Sequence, residues 1–232
     1  MIIRGVDYDI KYSPFGRKHQ YYKVPENYQP QGEEHQVIIA AILGDGCLIK
    51  PYEGANHRIS WNMGNKEHAL FKLSQSSFIG SKYKEGKNPG FGENWFCIQT
   101  ACHPMLTRYA KKYGDSKGLV DDSGIAGELD SFGWAIYYGD DGHLTRGGNC
   151  FLHTEGKSDA MVESIRLSLN EFIGIDDGAV IRSYIGGTKK RLLKCIRMKN
   201  EASIKFMEKV APYMANGMEY KIIDNLKHRI IR

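Results

Sequence analysis

Two apolar runs dominate the hydropathy pattern. Val37-Ile-Ile-Ala-Ala-Ile-Leu43 stops at Gly44-Asp45-Gly46, and Trp134-Ala-Ile-Tyr-Tyr138 stops at Gly139-Asp-Asp-Gly142. Runs that are apolar all round predict buried helices. Each carries an acid to its last turn and closes on a glycine, Gly46 or Gly142, suited to the left-handed position that ends a helix. Small residues four apart, Ala40 with Gly44 and Ala135 with Gly139, would let two such helices approach closely. Between the runs, Arg58-Ile-Ser-Trp-Asn-Met63 alternates as a strand with one wet face. Asn65 is placed to cap a helix running through Phe78, with Ala69, Leu70 and Leu73 as its apolar side. A strand over Ser81–Lys84, a Gly/Pro-rich turn at 86–92, a strand over Trp95–Thr100 and a helix from Pro104 to Tyr113 complete the first series.

The second half repeats the first. Phe71-x-Leu73-Ser74 with Phe78-Ile-Gly80 is echoed by Ile165-x-Leu167-Ser168 with Phe172-Ile-Gly174, an offset of 165 − 71 = 94. Cys97-Ile98 is echoed by Cys195-Ile196, and Asp45 by Asp141, with 141 − 45 = 96. Several matches in order, drifting as loop insertions would make them drift, indicate an internal duplication. The predicted fold class is α+β: duplicated αββαββα units with pseudo-two-fold symmetry, two run helices packed at the centre, and two antiparallel sheets side by side. The expected division is a 1–30 extension, a first half at 31–120 and a second at 121–232. The extension is rich in tyrosine and basic groups and broken by Pro14, Pro25 and Pro30. It either packs on the first half or touches phosphate.

Charge changes this picture only where it clusters. The chain of 232 residues carries 32 Lys and Arg against 27 acids, a net charge of +5 that many soluble enzymes share. The exposed sheet faces, however, collect Arg58, Ser60, Asn62, Lys82, Lys84 and Gln99 in the first half. In the second they collect Arg182, Tyr184, Lys189, Lys190 and Lys194. Twisted basic strands of this kind fit the major groove of double-stranded DNA. Five cysteines without paired spacing indicate reduced thiols inside a cell. The N-terminal stretch lacks a long apolar run, and Asp7 and Asp9 argue against a transit peptide, so a location in the cytoplasm, nucleoid or an organelle matrix is expected.

The candidate chemistry sits where the apolar runs end. At a helix C-terminus the macrodipole already supplies negative partial charge, so Asp45 and Asp141 are disfavoured there unless a cation compensates them. Side by side they repel, which raises their affinity for protons or metal. Other motifs fail. Gly156-Lys157-Ser158 resembles a P-loop end, but position 151 is Phe where glycine is needed. Tyr138-Gly-Asp-Asp141 resembles a polymerase motif without its acidic partner, and Asp140-Asp-Gly142 does not continue as an EF-hand.

Ile38-Ile-Ala-Ala-Ile-Leu-Gly-Asp-Gly46 and Trp134-Ala-Ile-Tyr-Tyr-Gly-Asp-Asp-Gly142 resemble the two motifs of a single-chain LAGLIDADG homing endonuclease. Leu43 and Gly139 stand where the motif carries its first acid. The resemblance implies a monomer that cuts both strands of a long DNA site across the minor groove, for intron or intein homing. Two or three Mg²⁺ ions, replaceable by Mn²⁺, would be held by Asp45 and Asp141 with backbone carbonyls near Gly44 and Asp140. It also implies one basic residue per half near the scissile phosphate, matched here by Lys117 and Lys221. The same fold serves RNA maturases of group I introns and catalytically inert DNA-binding regulators, and these are the alternative expectations.

Overall fold

The computed structural model describes residues 24–87, 95–121, 124–186 and 190–229, with 227–229 as backbone alone, and the backbone of a short antiparallel pair, Ile2–Ile3 (β1) and Val6–Asp7 (β2). The remainder of the expected extension, most of the 86–92 turn and Lys189 lie outside the described residues. The first unit runs α1 (Glu33–Leu43), β3 (Gly46–Ile49), β4 (Arg58–Met63), α2 (Lys66–Gln75), β5 (Ser81–Gly86), β6 (Trp95–Thr100) and α3 (Pro104–Tyr113). A small hairpin, β7 (Gly114–Asp115) and β8 (Gly118–Leu119), follows. The second unit runs α4 (Ser131–Asp141), β9 (Gly142–Leu144), β10 (Cys150–His153), α5 (Asp159–Ile173), β11 (Ala179–Gly186), β12 (Arg191–Met198) and α6 (Asn200–Val210).

The duplication reaches the strand register. The sheets are ordered β3-β4-β6-β5 and β9-β10-β12-β11. In one, Trp61 faces Gly46 on one side and Ile98 on the other, and Ile98 faces Tyr83. In the other, Leu152 faces Gly142 and Ile196, and Ile196 faces Ile181. The inward positions Ile59, Trp61, Ile98, Leu152 and Ile196 are buried with the helices in one continuous core. This is the duplicated αββαββα saddle that the periodicity predicts.

The run helices α1 and α4 pack against each other at the centre. Gln36 ties one end of this seam: its amide donates to the Glu128 carbonyl at 2.8 Å and its oxygen accepts from the Asp130 N–H at 3.0 Å. Asp130 caps α4, accepting from the Phe132 and Gly133 N–H groups at 2.9 Å each. A Cβ on Gly133 would fall 2.1 Å from Gln36 Oε1, and one on Gly44 would fall 2.5 Å from Asp140 Oδ2. The close-approach glycines are therefore Gly133 and Gly44. Gly139, expected in the seam, faces His68 of α2 instead.

Three further expectations are corrected. Gly142 has φ −89°, and Gly46 is also outside the left-handed region, so neither closes a helix by positive φ. Both are needed for space: a Cβ would meet the Tyr138 ring at 2.1 Å from Gly142, and the Trp61 indole at 2.7 Å from Gly46. Helix α1 stops at Leu43, with the Gly44 N–H bonded to the Ala40 carbonyl, so Asp45 lies beyond the helix while Asp141 is the last residue of α4. Asn65 does cap α2, accepting from the His68 N–H at 2.8 Å, but Leu70 is exposed. The buried residues of α2 are His68, Ala69, Lys72, Leu73 and Gln75, so that two bases and an amide join two apolar side chains.

Candidate active site

The ends of α1 and α4 bring three carboxylates together. Asp45 faces solvent, Asp141 is mostly covered, and the Asp140 side chain is fully buried. Although Asp45 reaches solvent, the protein packed around its carboxyl strips part of its hydration and raises it above its ordinary range; the Asp140 charge adds to this, against Lys72, His68 and Lys221. Burial pushes Asp141 up to about 7, helped by the charges of Asp45 and Asp140 and opposed by Lys157. Asp140 moves the other way: burial would raise it, but Lys72 and His68 together hold it below the usual carboxylate range. Asp45 and Asp141 are thus the acids that would accept a cation, and hard carboxylate oxygens suit Mg²⁺ or Mn²⁺. Among the described residues no cluster of three or more His, Cys, Asp or Glu forms a metal cage, so such an ion would complete its shell from water, backbone or substrate.

The bases around these acids come from both halves. Lys221, in a short turn over Glu219–Lys221, is 7% exposed and donates to the Gly139 carbonyl at 2.6 Å and the Asp140 carbonyl at 3.4 Å. Its own carbonyl accepts from the Tyr138 hydroxyl at 3.0 Å, so α4 fixes the turn that carries it. Burial lowers the ammonium's proton affinity, and Asp140, Asp45 and Asp141 restore part of it. The Asp140 carbonyl, expected as a metal ligand, thus accepts from Lys221. Lys117 is elsewhere: it lies on the β7–β8 hairpin with its N–H on Asp115, beside a cavity also lined by Lys50, His57 and Lys111. It is not among the charges that act most strongly on Asp45 or Asp141.

Sequence reasoning missed three members of this site. Lys72 and His68 lie on a helix face read as apolar, and Lys157, dismissed with the P-loop fragment, stands 3.5 Å from Asp141. A signal for Lys72 existed in the repeat. Its counterpart at the same offset of 94 is Arg166, another base, though Arg166 turns instead to Glu163 and Asp177.

Strand alternation sorts the expected DNA-contacting residues. Arg58, Ser60 and Asn62 share one face of β4; Ser60 pairs with Gln99 and Gln99 with Lys82, while Lys84 joins through Cys97. All six first-half residues therefore fall on one face. In the second half Arg182 and Tyr184 share a face with Cys195 and Leu193. Lys194 does not: it pairs with Ser183 on the opposite face and its ammonium reaches Asp159 at 2.6 Å. Lys190 is exposed at the hairpin tip. Arg191 and Arg197, not singled out from the sequence, are on the outward face. So are His143 and His153, whose ring nitrogens Nδ1 and Nε2 are 2.8 Å apart. Glu155 accepts from His153 and from the Tyr184 hydroxyl at the edge of this row.

Comparison with known proteins accounts for the architecture. A family model described as the LAGLIDADG DNA endonuclease family matches residues 35–204. Among curated relatives, Protein RecA of Mycobacterium shimoidei is 26% identical over 208 residues, covering 85% of this chain and 48% of that protein. Protein RecA of Mycobacterium gastri is 27% identical over 210 residues with the same coverage. The chain thus spans about half the length of the curated relatives it matches. Among solved structures, the homing endonuclease I-WcaI bound to its DNA recognition sequence shares the fold at a TM-score of 0.66 and 18% identity, over 84% of this chain and 88% of that one. With a family match across both halves and both motif acids at one end of the central helix pair, this chain belongs to the LAGLIDADG DNA endonuclease family.

Proposed function

We propose that this chain makes a double-strand break at a long, imperfectly symmetric DNA site by Mg²⁺-dependent phosphodiester hydrolysis. The observation that carries the proposal is the pairing of Asp45 and Asp141, both held above their ordinary range and the second partly by the charge of the first. Such acids gain affinity for a divalent ion, and family membership implies divalent-metal dependence. Bound there, the ion supplies activation of water and stabilisation of the leaving oxygen. Lys221 presents its ammonium from the Gly139 carbonyl toward the same acids, where it offsets charge that develops on the phosphate. Lys157 beside Asp141 limits repulsion between the acids before substrate arrives.

The outward rows through Arg58, Lys82 and Lys84, and through Arg182, Arg191 and Arg197, carry the charge and hydrogen-bonding capacity that DNA phosphates and base edges require. Both halves lie on one chain, so the protein acts as a monomer. The match to half of longer proteins named Protein RecA favours homing from within another protein's reading frame over homing from an intron. The test is incubation with Mg²⁺ and a plasmid bearing the uninterrupted host locus. Linearisation at one site supports the proposal. An uncut plasmid together with splicing of a precursor RNA would reassign the chain as a maturase.

A further inference from the structure

We infer that Asp140 is a positioning residue, clamped between the halves by Lys72 and His68, which holds the Asp45 backbone and makes the two cleavage half-sites mechanically unequal. The inference rests on the proposed nuclease function and deepens it. Three groups make four close contacts with the Asp140 carboxylate. Lys72 Nζ lies 2.7 Å from Oδ1 and 2.9 Å from Oδ2, His68 Nε2 lies 3.2 Å from Oδ1, and the Asp45 N–H donates to Oδ2 at 3.2 Å. The side chain has no solvent exposure. A metal at Asp140 would have to displace the Lys72 ammonium, which lies against both oxygens, although Asp140 stands next to Asp141 in the motif.

The cluster joins the halves. Lys72 and His68 come from α2 of the first unit and Asp140 from α4 of the second. A charge this deep is retained only with its partner, so the contact is an all-or-none link across the seam. The Asp140 carboxylate passes this restraint to the site through the Asp45 N–H. That acid lies beyond the end of α1, where the helix no longer holds it.

Asp141 is held differently. It is the last residue of α4, and the side chain beside it is Lys157. The seam cannot contain the clamp twice. The position matching Asp140 is Gly44, with 140 − 96 = 44, where even a Cβ would strike Asp140 Oδ2 at 2.5 Å. The position matching Lys72 is Arg166, engaged with Glu163 and Asp177 on α5 and the turn after it. One half-site therefore depends on a buried side-chain clamp and the other on helix backbone.

Removing Asp140 alone would strand the Lys72 charge in the core, so paired substitutions are used. Lys72→Met with Asp140→Ala removes the charge pair and the acceptor for the Asp45 N–H. Lys72→Met with Asp140→Asn removes the charges and keeps an amide oxygen in that place. The first readout is amide hydrogen exchange at Asp45 by NMR in the absence of metal and DNA. Exchange there should rise at least tenfold in the Ala pair and return to within about threefold of wild type in the Asn pair, with α4 core amides unchanged in both. The second is strand-resolved cleavage of a supercoiled target plasmid. The Ala pair should cut one strand at least tenfold more slowly than the other, so nicked circles accumulate, and the Asn pair should restore concerted cutting. Wild-type exchange at Asp45 in the Ala pair, or equal slowing of both strands, would overturn the inference. So would an Asn pair that does not fold, because the charges would then serve stability and not position. If the wild-type protein cuts no DNA, the nuclease reading fails while the exchange result still decides the clamp.

Discussion

Replacing Asp141 by Asn should make the free protein more stable at alkaline pH. In the fold, burial pushes this carboxyl up to about 7, against an ordinary value of 3.8. Between these two values the native state holds a proton that the unfolded chain has released. Stability therefore falls as pH rises through this window, and the loss is complete above about pH 7. A gap of about 3 pH units (7 − 3.8) at about 1.4 kcal/mol each corresponds to about 4 kcal/mol at most. Asn fills the same volume, keeps an oxygen toward Lys157 and removes the repulsion from Asp45 and Asp140. In chelator, guanidinium unfolding should show Asp141→Asn level with wild type near pH 4. By pH 8 the variant should be more stable by about 2–4 kcal/mol, the lower figure allowing for relaxation around the charged acid. Adding Mg²⁺ should narrow the gap, because the ion binds only the native wild-type acid. A difference independent of pH, or a variant less stable than wild type at pH 8, would refute the account of Asp141 as a desolvated acid awaiting a cation.

Asp45→Asn and Asp141→Asn should each abolish double-strand cleavage while leaving target binding within about threefold in a gel-shift assay, since on the proposed mechanism these acids hold metal and do not read bases. Lys221→Met should slow single-turnover cleavage by about 10²–10³, the scale of a lost charge-stabilising donor. Lys117→Met should slow it far less, given the hairpin it occupies, and equal defects from the two lysines would count against that ranking. Arg182→Ala and Lys84→Ala should each lower the slope of log affinity against log salt by about 1. Lys194→Ala should leave that slope unchanged, because its ammonium faces Asp159 on the helix side.

The parts legible in the sequence were those whose cause is local or repeated. Alternation over Arg58–Met63, the Asn65 cap and the proline that opens α3 each act within a few residues, and the structure has them where the pattern puts them. The duplication was legible because equal folds leave equal spacings. Lys194 shows the limit of that reasoning. A basic strand was recognised, but the face of each residue depends on parity, and a one-residue shift in register exchanges the faces. Arg191 and Arg197 hold the outward positions that Lys194 lacks.

The cluster at Asp140 marks a deeper limit. Lys72 and His68 on an inward helix face contradict every rule of amphipathic patterning until their partner is known, and that partner is 68 residues away from Lys72. Leu70, assigned inward for its hydropathy, is exposed, and Lys72 is buried. The same physics separates the neighbours Asp140 and Asp141. Their local sequence is nearly the same, yet burial against Lys72 holds one ionised, while burial beside Asp45 and Lys157 leaves the other near neutral pH. The motif acids are alike in sequence, and only the groups that arrive from other elements decide which of them is left with an unmet demand for a cation.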